Sequence, residues 1–102
     1  MVWTQFWDMC SGGRTKIGDF ERIYIEAPEE RAIEVFRERF GRDPNNVTCE
    51  CCGEDYITTG SPTLEEATSF DRKELGKGLD LAEYLERNKS TVLVIRASEI
   101  DP

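Results

Sequence analysis

Histidine is absent from the 102-residue sequence. This absence removes the commonest general base, and with it every Ser–His or Cys–His nucleophilic arrangement. The sequence also has no Walker loop and no dinucleotide-binding motif, and the Ser11-Gly12-Gly13 segment is too short to cradle a phosphate. The sequence therefore identifies no catalytic residue and no cofactor-binding motif, and it favours a protein without enzymatic activity.

Long hydrophobic runs are also absent. The longest purely apolar run covers only residues 92–95, which is far too short to span a bilayer. The first residues contain neither the basic region nor the apolar segment of a secretory signal peptide. We therefore expect a cytoplasmic protein that has no membrane partner. The chain length predicts a single domain over residues 1–102.

Basic residues are scarce, since 13 lysines and arginines face 21 aspartates and glutamates, for a net charge of −8. Residues 19–55 alone carry eleven acidic and five basic residues. A chain of this charge is repelled by phosphate backbones, which argues against direct nucleic-acid binding. Glutamates at helical spacing form an exposed acidic face that we predict to bind a basic partner (Glu30, Glu34 and Glu38). The alternative is that the acidic charge only keeps the protein in solution.

The order of elements predicts an α+β domain. Alternating apolar residues indicate strands at residues 3–7 and 20–26, which we expect to pair antiparallel. The second strand should be half buried, with Arg22, Tyr24 and Glu26 on the face opposite its isoleucines. Apolar residues at helical spacing predict a helix over 28–40, ended by Gly41. Further helices are predicted from Thr63 and from Asp80, and further strands at 56–58 and 91–97. We expect a mostly antiparallel sheet of three to four strands with two to three helices packed on one face.

The aromatic residues near the start have two interpretations. Trp3, Phe6 and Trp7 either belong to the core, as large aromatic side chains do in small domains, or form a binding platform. We expect the core. The helix should bury Ile33, Phe36 and Phe40 on a sheet that contains a set of branched apolar residues (Ile23, Ile25, Val92 and Val94).

The cysteines are the sharpest chemical feature. Cys49 and Cys52 have the C-x-x-C spacing of a zinc knuckle, with a glycine directly after. Because histidine is absent, only Cys10 and Cys51 remain as soft donors for a four-ligand zinc site. Asp8 and Asp55 are weaker candidate ligands. Plain reduced thiols, and a disulfide or redox pair, remain open alternatives to zinc.

Three blocks resemble a family of short uncharacterised proteins of tailed bacteriophages. They are WTQFWDM at residues 3–9 with SGG at 11–13, YIEAPEE at 24–30, and VTC at 47–49 with CCGEDY at 51–56. The resemblance covers roughly the first 70 residues. It implies a phage origin and a location in the bacterial host cytoplasm, and it transfers no activity and no catalytic residue.

These observations predict a phage accessory protein that binds and modulates, or inhibits, a host or phage protein. Its acidic surface would then mimic the charge of nucleic acid. The alternative is a small zinc- or thiol-dependent enzyme built around the Cys49–Cys52 loop. A homodimer is compatible with either function.

Overall fold

The computed structural model describes residues 2–9, 15–47, 53–74 and 79–100. These residues confirm the α+β class with a four-stranded sheet. The elements in chain order are β1 (Trp3–Asp8), β2 (Arg22–Ile25), α1 (Glu29–Phe40), β3 (Tyr56–Ser61), α2 (Leu64–Glu74), α3 (Leu81–Arg87), β4 (Val92–Ile95) and α4 (Ala97–Ile100).

The sheet has the strand order β3-β1-β2-β4. The central strand β1 pairs antiparallel with β2 on one side and with β3 on the other, while β4 pairs parallel with β2. The sheet is therefore mostly antiparallel, as predicted. Both β3 and β4 are edge strands within the described residues.

Helix α1 forms where the periodicity predicts it. Pro28 precedes its first turn, where glutamates face the positive end of the helix dipole. Gly41 ends the helix in the left-handed conformation, with φ of 66°, and its N–H donates to the Arg37 carbonyl. The buried side of α1 packs onto the sheet face formed by Phe6, Ile23 and Ile25.

The opposite face of the sheet is covered by α2 and α3, so the prediction that the helices pack on one face is wrong. Successive residues of a strand point to opposite faces. Ile23 belongs to the core beneath α1, whereas Tyr24 belongs to a second core with residues of α2 and α3. The sheet therefore lies between two helical layers, and Arg22 and Tyr24 are buried rather than facing solvent.

The same alternation corrects the predicted partners of α1. Val92 and Val94 contribute to the core beneath α2 and α3, and it is Ile95 of β4 that joins the α1 core. Trp3 and Phe6 are buried on opposite faces, which confirms their core assignment, whereas Trp7 remains partly exposed.

Candidate functional site

The acidic residues predicted to bind a partner lie on the outer side of α1. Glu30, Glu34 and Glu38 are all exposed, because their spacing places them away from the buried side of the helix. The structure therefore presents the three carboxylates on one element, where an approaching molecule can reach them.

Arg31 changes the charge of this surface. Its Nη1 atom lies 3.1 Å from Glu34 Oε1 and 3.9 Å from Glu38 Oε1, so a single guanidinium forms ion pairs with two of the three carboxylates. Exposed ion pairs contribute little to stability, about 0–1 kcal/mol, but they reduce the net charge seen from a distance. The C-terminal half of the predicted acidic face is therefore much less acidic than its glutamates suggest.

The carboxylates of α1 that have no ion pair within the described residues lie at its first turn. Glu29 and Glu30 are exposed there, and neither forms an ion pair within the described residues. The helix dipole favours carboxylates at this position. The turn borders a shallow depression of about 610 Å³ lined by Pro28, Glu29, Glu30, Arg31, Ile33 and Glu34.

A buried polar network joins the sheet to α2 and α3. Asp71 Oδ2 accepts hydrogen bonds from Arg22 Nε at 2.9 Å, from the Tyr24 hydroxyl at 3.2 Å and from the Tyr84 hydroxyl at 3.5 Å. The Arg22 guanidinium also lies 4.1 Å from the centre of the Trp7 ring. Because these groups satisfy one another away from water, the network holds the second helical layer on the sheet.

The tyrosines of this network act as hydrogen-bond donors. Burial, reinforced by Tyr84 and Asp71, raises the pKa of Tyr24 far above its ordinary value. Burial also raises the pKa of Tyr84. Both phenols therefore stay protonated near neutral pH, so neither can accept a proton as a general base.

Sequence reasoning missed this network, although one signal was available. Leu64, Ala67, Thr68 and Asp71 follow the i, i+3, i+4, i+7 pattern of a buried helix side. That spacing places Asp71 inward, where a carboxylate needs a cation and hydrogen-bond donors.

A second buried cluster lies where β1 ends and β3 begins. Asp8 accepts a hydrogen bond from the Lys16 backbone N–H at 2.7 Å, and the Lys16 ammonium lies 3.8 Å from its other oxygen. Asp55 lies 4.0 Å from the Arg42 guanidinium. Burial, followed by the Asp8 carboxylate, raises the pKa of the neighbouring Tyr56. Asp8 and Asp55, the two carboxylates predicted as weaker zinc ligands, thus both lie near Tyr56, and each lies beside a cation.

The zinc prediction itself falls on Cys10, Cys49, Cys51 and Cys52, which lie outside the described residues. Among the described residues, no group of three or more potential metal-ligating side chains is present. The zinc site therefore stays a prediction.

No known protein family, curated protein or solved structure matches this chain. In the described part of the chain, none of the helices has the length and apolar character needed to cross a bilayer. The function must therefore be inferred from the side chains and their arrangement.

Proposed function

We propose that this protein binds another protein that presents a basic surface, and that the first turn of α1 accelerates their encounter. The carrying observation is the pair Glu29 and Glu30, which are exposed and without ion pairs in the described residues, beside a shallow depression. The phage resemblance further suggests that the partner is a host or phage protein in the bacterial cytoplasm.

Long-range electrostatics supports this proposal. A net charge of −8 on 102 residues produces a negative field, and such fields raise association rates of oppositely charged partners by about 10- to 1000-fold. Nucleic-acid-binding grooves are basic because they neutralise phosphates. An acidic protein that occupies such a groove would inhibit the partner by mimicking phosphate charge.

The buried charges support binding rather than catalysis. Asp71 is neutralised by Arg22, and its remaining contacts come from protonated tyrosines. Asp8 is held by Lys16 on the other side of the sheet. Since these groups serve the fold, the charges available to another molecule are exposed carboxylates, among them Glu29 and Glu30 of α1.

The proposal is tested by association kinetics with a partner recovered by affinity capture from infected host lysate. We expect reversal of the first-turn charges, Glu29→Lys with Glu30→Lys, to slow association by about tenfold at low ionic strength. The difference should shrink as salt reduces the screening length to about 8 Å, while dissociation changes much less.

A matched control keeps the total charge change equal. Glu83 and Glu86 lie on α3 and pair with Arg87 and Lys89, so their reversal to lysine changes the net charge by the same amount at another site. The control should slow association clearly less than the first-turn variant. Equal association rates for all three proteins at every salt concentration would show that the acidic charge serves solubility alone.

A further inference from the structure

The outer edge of β3 has main-chain groups that face away from the sheet. The Met9 N–H donates to the Asp55 carbonyl at 2.9 Å, which continues the β1–β3 register one step beyond the Asp8–Tyr56 pair. Hydrogen bonding alternates along an antiparallel strand. Ile57 and Thr59 therefore bond to β1, whereas Thr58 and Gly60 direct their N–H and C=O groups outward.

The stretch of β3 whose outward-facing main-chain groups pair with no described residue, from Thr58 to Gly60, is bounded at both ends. The Tyr56 N–H, which also points outward, donates to the Pro44 carbonyl at 3.2 Å. Beyond the strand, Pro62 has no N–H to offer. Between these limits, no other described residue hydrogen-bonds to the main chain of Thr58 or Gly60 on this side.

The strand also lacks the usual protection of an edge. Natural edge strands carry charged side chains, proline or a bulge that discourage pairing with another chain. From Tyr56 to Ser61, β3 has no charged residue and no proline. Ile57, Thr59 and Gly60 are exposed, so an extended segment can reach the outward-facing groups.

Acidic side chains stand at the two ends of β3. Glu54 lies exposed before the strand, and Glu65 and Glu66 are exposed in the first turn of α2 after it. None of the three has an ion pair within the described residues. A second copy pairing antiparallel along β3 would bring its Glu54 near these glutamates, and this repulsion disfavours self-association.

We propose that the β3 edge adds a short strand from a protein partner, with lysine or arginine at both ends of that strand. The partner's strand pairs with Thr58 and Gly60. Its basic ends face Glu54 at one end of β3 and Glu65 with Glu66 at the other. This proposal rests on the proposed binding of a basic partner and names where the partner docks.

The test uses the whole protein and a synthetic peptide in which valine and threonine alternate over about seven residues, flanked by two lysines at each end. We expect peptide addition to slow amide hydrogen exchange at Thr58 and Gly60. Exchange at Thr59, whose N–H already bonds to β1, should hardly change. A peptide of the same sequence with N-methylated backbone amides supplies no donors and should bind about tenfold more weakly.

Gly60 provides a matched pair of variants. A methyl group added at Gly60 would lie 4.0 Å from the Trp3 carbonyl oxygen, an ordinary contact distance, so Gly60→Ala should fold and bind the peptide. Gly60→Pro removes the outward N–H and should weaken binding about tenfold. The N-methylated peptide keeps the proposal testable if Gly60→Pro fails to fold.

Equal binding of the normal and N-methylated peptides, or unchanged exchange at Thr58 and Gly60, would overturn the proposal. So would a concentration-dependent dimer, seen by sedimentation, that Gly60→Pro abolishes, because the occupant would then be a second copy. These results leave the proposed function intact, because that function is tested separately by the Glu29 and Glu30 reversals.

Discussion

Truncation of Phe36 tests the described packing of α1 most directly. The side chain is fully buried, and its ring centre lies 4.8 Å from that of Phe6, 4.9 Å from that of Phe40 and 4.9 Å from that of Tyr56. Phe36→Ala would therefore remove one ring from contact with three others and leave a cavity between the helix and the sheet.

The expected loss follows from burial and ring contacts together. Buried Phe→Ala substitutions cost about 3–5 kcal/mol. Each aromatic pair adds about 0.5–1.5 kcal/mol beyond the area that it buries, which places Phe36 near the top of that range. Since domains of this size have a total stability of about 5–15 kcal/mol, the variant should lose a third or more of it.

The measurement is urea unfolding followed by circular dichroism, with Phe70→Ala as the matched control. Phe70 lies on α2 with 61% of its surface exposed, so the same substitution there should change the unfolding free energy by no more than about 0.5 kcal/mol. A loss below about 1 kcal/mol for Phe36→Ala would mean that the buried side of α1 is assigned wrongly.

Two further predictions concern pH and metal. Burial raises the pKa of three tyrosines above their usual value of 10.0, so the folded state binds their protons more tightly than the unfolded state; they are Tyr24, Tyr56 and Tyr84. The contribution of these tyrosines to the free energy of unfolding should therefore be fully present below pH of about 10 and should be lost as pH rises further. The loss should be less steep in Tyr24→Phe. A urea midpoint that stays constant into strong alkali would contradict this prediction. Protein purified without added metal should contain one zinc per chain by elemental analysis, and substoichiometric zinc with four titratable thiols would exclude the predicted site.

The fold class was predictable because local patterns determine most of the elements. Helix α1 has apolar residues at helical spacing and a glycine at its end, and both signals depend only on neighbouring residues. The same holds for α3, where Asp80 accepts a hydrogen bond from the Glu83 N–H at 2.8 Å. The strand pairing of β1 with β2 also follows from their alternating patterns and the loop between them.

The second helical layer was not predictable from the same patterns. Arg22 and Tyr24 alternate with Ile23 and Ile25, which is the usual pattern of a strand with one face in water. Their burial depends on Asp71, 49 residues after Arg22 in the chain. A charged residue becomes compatible with a buried face only when its counter-ion is supplied, and no local pattern reveals that pairing.

The exposure of the acidic residues on α1 was predictable from the sequence, but their pairing with Arg31 was overlooked. Helical spacing predicted that Glu30, Glu34 and Glu38 are exposed, and the structure places them so. The spacing of Arg31 to Glu34 also indicates an ion pair, which makes this helix side less acidic than its three glutamates alone imply. The number of glutamates on a helix side is therefore a poor guide to its local potential when an arginine lies on the same side.

The two proposed binding regions meet at one end of the sheet. Thr4 pairs with Ile25 on one side and with Gly60 on the other, and its hydroxyl donates to the Ala27 carbonyl just before α1. The first turn of α1 therefore lies at the same end of the sheet as the end of β3. Since α1 and α2 cover opposite faces, their first-turn glutamates flank this end from both sides. A partner whose basic residues surround the end of an added strand would contact both acidic turns, so salt should weaken its binding more than it weakens binding of the short peptide.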